Sequence, residues 1–192
     1  MVGPGITAAP GLAPLLEDLL RQTATPLILD ADAMNLMARH PVILGAYTDR
    51  PADERPPLVI TPHPGEMARF LQTTADQIQA DRPAAARRAV DLTGGIVILK
   101  GAGTLVAAPQ TPIMVNLTGN PGMATGGSGD VLAGLLAGII ADGNPPFLAA
   151  QAAVYWHGLA GDHAARRKTE RAMNAGDIIQ YLPRALADLT AV

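Results

Sequence analysis

The sequence contains no cysteine among its 192 residues. This absence excludes disulfide bonds, thiolate metal ligands and cysteine nucleophiles, and it suits a reducing compartment. Aromatic residues make up only 3% of the chain and charged residues 16%, whereas 48% of the residues are hydrophobic. This balance indicates a folded domain with a buried core, because a disordered segment has too few apolar residues to form one. The length predicts a single domain over residues 1–192.

The chain also lacks a broad basic surface and a long apolar run. The net charge is −3, and the basic clusters are short, at Arg87-Arg88 and residues 166–168. Nucleic-acid binding generally needs a wide positive face. The longest apolar run, residues 131–141, is shorter than the roughly 20 residues of a membrane span, and the N-terminus has no signal-peptide pattern. We therefore expect a soluble, cytoplasmic protein that binds neither nucleic acid nor membranes.

Short β-rich runs alternate with helical segments along the chain. This alternation predicts an α/β fold with a mainly parallel central sheet and helices on both faces. The prolines of residues 41–57 predict a loop with at most one short helical turn. The predicted strands are residues 26–30, 58–61, 96–99, 104–107 and 113–116. The predicted helices are residues 33–39, 66–71, 74–93 with an interruption at Pro83, 148–166 and 175–189, and one that begins near residues 128–131.

Polar or glycine-rich segments follow several predicted strands. In open α/β sheets, ligands bind beyond the carboxyl ends of the strands. The prolines on either side of His63 restrict its backbone, which makes His63 a candidate ligand contact. Glu66 either caps the following helix or acts through Mg²⁺ or water. Asp30 and Asp32 are either paired carboxylates or, for Asp32, the cap of the next helix.

The segment GNPGMATGGSGDVLAGLLAGIIA, residues 119–141, is either a flexible linker into an apolar helix or a cradle for an anion. Glycines let successive amides point into one concavity, and the start of a helix adds unpaired amides and a positive dipole end. Asp130 at this start is either a general base or only a capping acid. Gly134 and Gly138, four residues apart on the helix, are expected at positions of close packing.

Residues 100–104, Lys-Gly-Ala-Gly-Thr, follow a predicted strand directly. They either bind nucleotide phosphates or form an ordinary hairpin turn with a solvated lysine. The spacing of a P-loop is absent from the sequence. His157 and His163 do not have the spacing of a zinc-binding pair on a helix.

Six segments, read in order, resemble the ADP/ATP-dependent NAD(P)H-hydrate dehydratases of the ribokinase-like superfamily. The similarity runs over essentially the whole chain, and GGSGD alone would also fit the vitamin kinases of this superfamily. The segments are GPG (3–5), LDADAMN (29–35), TPHPGEMARF (61–70), VILKGAGTLVA (97–107), the glycine-rich segment 119–141 and YWHGLAGDHAA (155–165).

The resemblance implies dehydration of the S epimer of hydrated NADH or NADPH, driven by ADP or ATP with Mg²⁺. The hydroxyl of the hydrate would be phosphorylated and phosphate then eliminated, so that ADP becomes AMP or ATP becomes ADP. Asp130 would be the catalytic base and would contact the hydrated dinucleotide together with Gly5 and His63. The implied nucleotide-binding residues are Lys100, Gly101, Ala102, Gly103, Thr104 and Gly129, and the implied anion hole comprises Gly126, Gly127, Ser128 and Gly129.

The chain departs from the family pattern at its N-terminus. Family members have further strands before the Gly-Pro-Gly turn and another glycine where this chain has Thr7, so we expect an N-terminally truncated ribokinase-like domain. The resemblance also implies a homo-oligomer that acts with an NAD(P)H-hydrate epimerase. The alternatives are a small-molecule kinase for a vitamin precursor and a non-catalytic remnant that binds nucleotide.

Overall fold

The computed structural model describes residues 1–7, 9 and 11–190. Their helices and strands alternate as the sequence predicts. The strands are β1 (Leu27–Leu29), β2 (Leu58–Ile60), β3 (Ile96–Leu99), β4 (Leu105–Ala107) and β5 (Met114–Val115). The helices are α1 (Leu12–Gln22), α2 (Ala31–Arg39), α3 (Val42–Thr48), α4 (Pro64–Phe70), α5 (Ala75–Ala80), α6 (Arg82–Thr93), α7 (Ser128–Ala141), α8 (Pro146–Lys168) and α9 (Ala175–Thr190), with 3₁₀ turns at Ala52–Glu54 and Pro121–Met123.

The strands form one mixed sheet in the order β1-β2-β3-β4-β5. β1, β2 and β3 are parallel neighbours, and β4 returns antiparallel to β3 through a hairpin. Val2 adds a parallel bridge to Leu29 at the other side of β1. Every residue of β1 to β4 is buried, as a sheet covered on both faces requires. The predicted α/β fold is confirmed.

The chain divides into two compact units. Unit 1 comprises Met1–Gly101 and Leu105–Met114, and unit 2 comprises Ala102–Thr104 and Val115–Val192. The single domain over residues 1–192 stays a prediction. Among the described residues, no helix combines the length and the apolar character needed to cross a membrane.

Unit 1 has a core of aliphatic and methionine side chains around β1, β2 and β3. α1 packs against α3, and α6 packs against β3 and β4. The buried face of α6 carries Ala85, Ala86, Ala89 and Val90, whose small side chains let the helix approach the sheet closely. Removing this apolar area from water stabilises the unit by about 25 cal/mol per Å².

Unit 2 is built on the long helix α8, which packs against both α7 and α9. The Trp156 indole donates a hydrogen bond of 2.7 Å to the carbonyl of Leu182 and ties α8 to α9. His163 Nε2 lies 2.8 Å from Asp188 Oδ2 and joins the same two helices. These contacts hold α8 and α9 in a fixed arrangement within the unit.

Several details of the sequence-based prediction were wrong. Helix α1 was not predicted, and Pro83 lies in the first turn of α6 and does not interrupt a helix. Residues 41–57 contain the two-turn helix α3, because Pro41 occupies its N-cap and Pro51 follows its end, so neither proline interrupts it. α2 begins at Ala31 and not at residue 33. Gly134 and Gly138 are not close-packing positions, since a Cβ atom at either would meet nothing within 4 Å.

Candidate nucleotide and dinucleotide site

The carboxyl ends of three parallel strands in unit 1 bring together a cluster of charged side chains. Asp30 follows β1, Glu66 lies on α4 after β2, and Lys100 follows β3. Lys100 Nζ is 2.6 Å from Asp30 Oδ1 and 3.8 Å from Glu66 Oε2. Asp30 is only 1% exposed and Lys100 is 18% exposed. These three residues, which follow three different strands, therefore meet at one edge of the sheet.

His63 caps the N-terminus of α4 with its imidazole. His63 Nδ1 accepts hydrogen bonds from the amides of Gly65 (3.0 Å) and Glu66 (3.4 Å). The Glu66 carboxylate in return accepts a hydrogen bond of 2.8 Å from the His63 amide, which completes a capping box. The predicted capping role of Glu66 is therefore confirmed. Gly65 leaves room for the ring, because a Cβ atom there would lie 2.9 Å from His63 Cε1.

The protonation of His63 follows from this cap. Burial lowers the pKa of His63 from 6.5; the Glu66 carboxylate pulls the pKa upward, and the Lys100 and Arg69 cations push it down. Because Nδ1 accepts two amides, the neutral ring carries its proton on Nε2. Half of the side chain is exposed. Nε2 lies 3.4 Å from Glu66 Oε1, so the neutral ring faces that carboxylate while half of its surface stays accessible to a ligand.

The Gly3-Pro4-Gly5 turn lies on the residue that ends β1. The Val2 amide donates to Ile28 O at 2.8 Å, and the Asp30 amide donates to Val2 O at 3.1 Å. Gly3 has φ 144°, and a Cβ atom there would collide with the carbonyl of Asp30, so only glycine fits this approach. The turn is thereby fixed beside Asp30, with Gly5 exposed next to it.

Asp32 does not cap α2, and it does not form a carboxylate pair with Asp30. Asp32 lies in the first turn of α2, where its carboxylate accepts a hydrogen bond of 3.0 Å from the Thr7 amide. Asp30 instead pairs with Lys100. Both alternatives from the sequence fail because the two side chains reach different partners brought near by the fold.

Lys100 begins the hairpin between β3 and β4, as one reading of the sequence predicts. Its side chain is not the solvated lysine expected for such a turn, because it faces Asp30 and Glu66. Arg82, at the start of α6, donates to the carbonyls of Leu99 (3.0 Å) and Lys100 (3.3 Å). Burial lowers the pKa of the Arg82 guanidinium.

Sequence reasoning missed Arg82, because its contacts are to backbone carbonyls across the fold and no local motif marks them. The nearest signal is Gly101. A Cβ atom at Gly101 would lie 3.2 Å from Arg82 Nη2, so the glycine makes room for the guanidinium under the turn. The rest of the Lys-Gly-Ala-Gly-Thr stretch, Ala102–Thr104, belongs to unit 2. There the carbonyl of Thr104 accepts a hydrogen bond of 2.8 Å from the Asn116 amide.

The glycine-rich segment of unit 2 forms an ordered turn into α7 and not a linker. Gly127 is the N-cap residue with φ 85°, and the Val131 amide donates to its carbonyl at 3.1 Å. Within the described residues, the amides of Gly129 and Asp130 in the first turn find no hydrogen-bond acceptor. Asp130 is exposed, and its carboxylate forms no hydrogen bond with the described part of the chain. Unpaired amides at a helix start can bind an anion.

The loop that leads to this turn is anchored on α8. Asp162 accepts hydrogen bonds of 3.0 Å from the Gly119 amide and from the Asn120 side chain. Gly158 and Gly161 on α8 provide the close packing, since a Cβ atom at either would collide with Thr118 or Met123. No local pattern indicates the role of Asp162, because its two partners lie more than 40 residues away in the chain.

The side chains of the described residues do not form a protein-held magnesium site. They contain no group of three histidine, aspartate or glutamate residues that could hold a metal ion. Glu66, the candidate for Mg²⁺ or water contact, already accepts from the His63 amide and faces Lys100. Mg²⁺ prefers several oxygen ligands and retains waters, so this donor set does not fit it as a direct ligand cage.

Comparison with known proteins identifies the family. A sequence model described as NAD(P)H-hydrate dehydratase matches residues 1–184. A bifunctional NAD(P)H-hydrate repair enzyme of Moorella thermoacetica is 45% identical over 98% of this chain and 34% of its own length. An ADP-dependent (S)-NAD(P)H-hydrate dehydratase of Neisseria meningitidis is 45% identical over 84% of this chain and 52% of its own. The chain thus spans about a third to a half of these relatives.

Solved structures agree with the sequence comparison. The ADP/ATP-dependent NAD(P)H-hydrate dehydratase of Bacillus subtilis, co-crystallized with ATP/Mg²⁺, has a TM-score of 0.77 and 28% identity over 89% of this chain and 57% of that one. A ribokinase-like superfamily protein of Enterococcus faecalis has a TM-score of 0.78 and 30% identity over 97% of this chain and 62% of that one. The chain therefore belongs to the NAD(P)H-hydrate dehydratase family and has a ribokinase-like fold.

Proposed function

We propose that the chain dehydrates the S epimer of hydrated NADH or NADPH at the expense of ADP or ATP. The observation that carries this proposal is the turn into α7, where unpaired amides of Gly129 and Asp130 lie beside a carboxylate that no described residue binds. The family match over residues 1–184 supports the substrate class. An anion cradle with a carboxylate beside it suits phosphoryl transfer to a hydroxyl group.

In the first step, the hydroxyl oxygen of the hydrate attacks the terminal phosphorus of the nucleotide. Asp130 accepts the hydroxyl proton, and the bond to the leaving nucleotide oxygen breaks, which releases AMP from ADP or ADP from ATP. The anion hole, comprising Gly126, Gly127, Ser128 and Gly129, stabilises the charge on the transferring group through backbone amides other than that of Ser128, which already donates to Thr125 O at 3.3 Å. Positioning and electrostatics supply most of the rate in such reactions.

In the second step, the phosphorylated carbon loses phosphate and the neighbouring ring carbon loses a proton. The electron pair of that C–H bond forms the ring double bond, so that the net products are NAD(P)H, phosphate, a proton and the shorter nucleotide. The half-exposed, neutral His63 ring would contact the dinucleotide, with Gly5 as a further contact. No redox co-reactant is needed, since water is removed without a change in oxidation state.

We assign nucleotide binding to residues 100–104 and Gly129. All five residues of the stretch, Lys100 included, would act mainly through the backbone. Mg²⁺ would accompany the nucleotide phosphates and neutralise part of their charge, in keeping with the ATP/Mg²⁺ co-crystals of the B. subtilis protein. No step above depends on a protein-held metal ion.

Product analysis after incubation with ADP or ATP and the S hydrate of NADH tests this function. Free phosphate together with recovered NADH supports a dehydratase. A stable phosphorylated product identifies the alternative small-molecule kinase, and nucleotide binding without any turnover identifies the non-catalytic alternative. Residence in the cytoplasm, a homo-oligomeric state and action beside an NAD(P)H-hydrate epimerase are further parts of the proposal. The bifunctional repair enzymes among the relatives support the pairing with an epimerase.

A further inference from the structure

The ion pair between Asp30 and Lys100 lies at the edge of the sheet where the proposed ligands bind. Asp30 is 1% exposed, and its Oδ1 atom is 2.6 Å from Lys100 Nζ. The two residues are separated by 70 positions in the sequence, and they join the ends of β1 and β3. Lys100 Nζ also lies 3.8 Å from Glu66 Oε2 at the end of β2. One ammonium group thus connects the three parallel strands.

Asp30 is linked to both elements to which we assign dinucleotide binding, to one directly and to the other through Lys100. Its backbone supports the Gly3-Pro4-Gly5 turn, because the Asp30 amide donates to Val2 O and the Asp30 carbonyl lies directly under Gly3. Through Lys100 it neutralises Glu66, whose carboxylate holds the His63 amide. The next residue, Ala31, has φ 45°, a left-handed conformation that costs energy for a residue other than glycine.

Lys100 is also the first residue of the stretch to which we assign nucleotide binding. Its amide donates to Pro62 O at 2.9 Å, and its carbonyl accepts from Arg82 at 3.3 Å. Both the backbone and the side chain of Lys100 are therefore fixed from within unit 1. With its ammonium directed at two carboxylates, Lys100 orients the turn and does not extend toward a phosphate.

A buried ion pair adds little to stability, because the loss of hydration offsets much of the attraction between the charges. The Asp30–Lys100 pair lies at the edge of the sheet where the ligands are proposed to bind, which suggests a role in binding. Unit 2 provides a comparison, since Lys168 Nζ is also 2.6 Å from Asp177 Oδ1. That pair joins the end of α8 to the start of α9, and the Asp177 carboxylate forms its hydrogen bonds with Lys168 and Asn174, to which we assign no ligand binding.

We propose that Asp30 is a positioning residue that aligns the dinucleotide-binding turns with the start of the nucleotide-binding stretch by fixing the ammonium group of Lys100. This inference rests on the proposed function for the identity of the ligands. It assigns a role to a carboxylate that contacts neither ligand itself. Removing the Asp30 charge should therefore weaken the binding of both ligands at once.

The test compares Asp30→Asn, Asp30→Asn/Lys100→Met and the control Asp177→Asn with the wild type. Calorimetric titration gives the Kd of ADP, steady-state assays give KM and kcat for hydrated NADH, and thermal unfolding gives Tm. Asp30→Asn should raise the Kd of ADP and the KM of hydrated NADH about tenfold each. Asp177→Asn should lower Tm but leave the Kd of ADP within about twofold, because the Asp177 carboxylate bonds only Lys168 and Asn174, to which we assign no ligand binding.

The direction in which Asp30→Asn changes the Kd of ADP shows whether Asp30 positions Lys100 or competes with phosphate for it. If Lys100 bound a phosphate directly and Asp30 only competed for it, Asp30→Asn would tighten ADP binding, and tighter or unchanged binding overturns the inference. The double variant covers the case in which Asp30→Asn does not fold, because it removes both buried charges together. It should recover Tm while ADP binding stays weak, and wild-type ADP binding in the folded double variant also overturns the inference.

The ADP titration separates this inference from the proposed function. A wild-type chain that binds ADP but does not convert hydrated NADH contradicts the proposed function, while the Asp30→Asn titration still decides the role of Asp30. A wild-type chain that binds no ADP contradicts the inference directly.

Discussion

Asp130 is the single residue on which the proposed chemistry depends most. Asp130 lies in the first turn of α7 and is exposed, and its carboxylate forms no hydrogen bond with any described residue. Replacing it with asparagine keeps the shape and removes the base, so we expect Asp130→Asn to lower kcat by about 10²- to 10⁴-fold. Recovery of NADH absorbance from the hydrate measures kcat.

Asp142→Asn is the matched control for that variant. Asp142 is an exposed acid at the other end of α7, in its C-cap position, and we assign it no contact with ligand. We expect wild-type kcat for Asp142→Asn and wild-type affinity for ADP in both variants. Unchanged kcat in Asp130→Asn would remove the assignment of the base.

His63 should remain neutral throughout the neutral pH range. Its native pKa is below 6.5 because burial disfavours the charged ring, and Nδ1 can gain a proton only by losing two amide donors. The unfolded chain then binds more protons than the native one below about pH 6.5, so this residue makes stability fall as pH decreases from 6.5 through its native pKa.

Imidazole ¹⁵N chemical shifts measure the state of His63 directly. We expect an unprotonated Nδ1 and a protonated Nε2 at pH 7, and a titration midpoint below that of an unperturbed histidine. His63→Gln should remove this signal and flatten the loss of stability with falling pH. A proton on Nδ1 at pH 7 would contradict the capping geometry.

The sequence was a good guide to single residues that belong to local motifs. The capping role of Glu66 follows from its position three residues after His63, and the structure confirms it. Lys100 was correctly placed in a hairpin, but its partner Asp30 is 70 residues away and no local pattern indicates the pair. Arg82 went unnoticed for the same reason, since it binds carbonyls at the end of another strand.

At the scale of secondary-structure elements, the His63 side chain caps the N-terminus of α4. We assign ligand contact to the same side chain. A Cβ atom at Gly65 would lie 2.9 Å from His63 Cε1 and 3.3 Å from Nδ1, so Gly65→Ala should displace the ring from the cap. Loss of a cap costs about 1 kcal/mol in the free energy of unfolding. We also expect a higher KM for hydrated NADH.

Chemical denaturation and steady-state kinetics check the two effects of Gly65→Ala. Gly45→Ala in α3 is a suitable control, because a Cβ atom there would meet only Asp49 at an ordinary 3.7 Å. It should leave KM unchanged. If Gly65→Ala keeps both the stability and the KM of the wild type, the imidazole is not a working cap.

The start of α7 depends on a residue that can adopt a positive φ. Gly127 has φ 85°, and a Cβ atom there would lie 3.2 Å from the Ala175 side chain. Gly127→Ala should therefore lower the free energy of unfolding by about 1–3 kcal/mol and weaken nucleotide binding. Chemical denaturation and ADP titration measure these effects.

Gly138→Ala on the same helix should have the opposite effect on stability. Gly138 lies in the helix interior with open space around its Cα, so alanine should raise the free energy of unfolding by about 0.5–1 kcal/mol. A stabilising Gly127→Ala, or a destabilising Gly138→Ala, would contradict the geometry of α7.

Helices were harder to predict than strands, and α3 shows why. Pro41 and Pro51 suggested a loop from sequence, but each proline stands just outside the helix, where its fixed φ is compatible with the chain path. The side chains of Ile43 and Tyr47 are buried, so packing within unit 1 stabilises a helix that its flanking prolines obscure.

At the scale of the whole molecule, the alternation of apolar runs was enough to predict the α/β class. β1 to β3 are short and apolar on both faces, and such strands are typical of a parallel sheet between helices. The division into two units was not predicted. It leaves residues 102–104 with unit 2 although the neighbouring strand residues belong to unit 1. Local sequence patterns do not report which distant segments share the most contacts.

Conversion of the S hydrate of NADH is the most direct test of the central claim. Folded chain is mixed with the S hydrate, Mg²⁺ and either ADP or ATP, and absorbance at the reduced nicotinamide band is followed. We predict recovery of NADH that requires nucleotide, releases phosphate in equal amount and is lost in Asp130→Asn. No recovery with either nucleotide, by a wild-type chain that binds nucleotide, would contradict the proposed function.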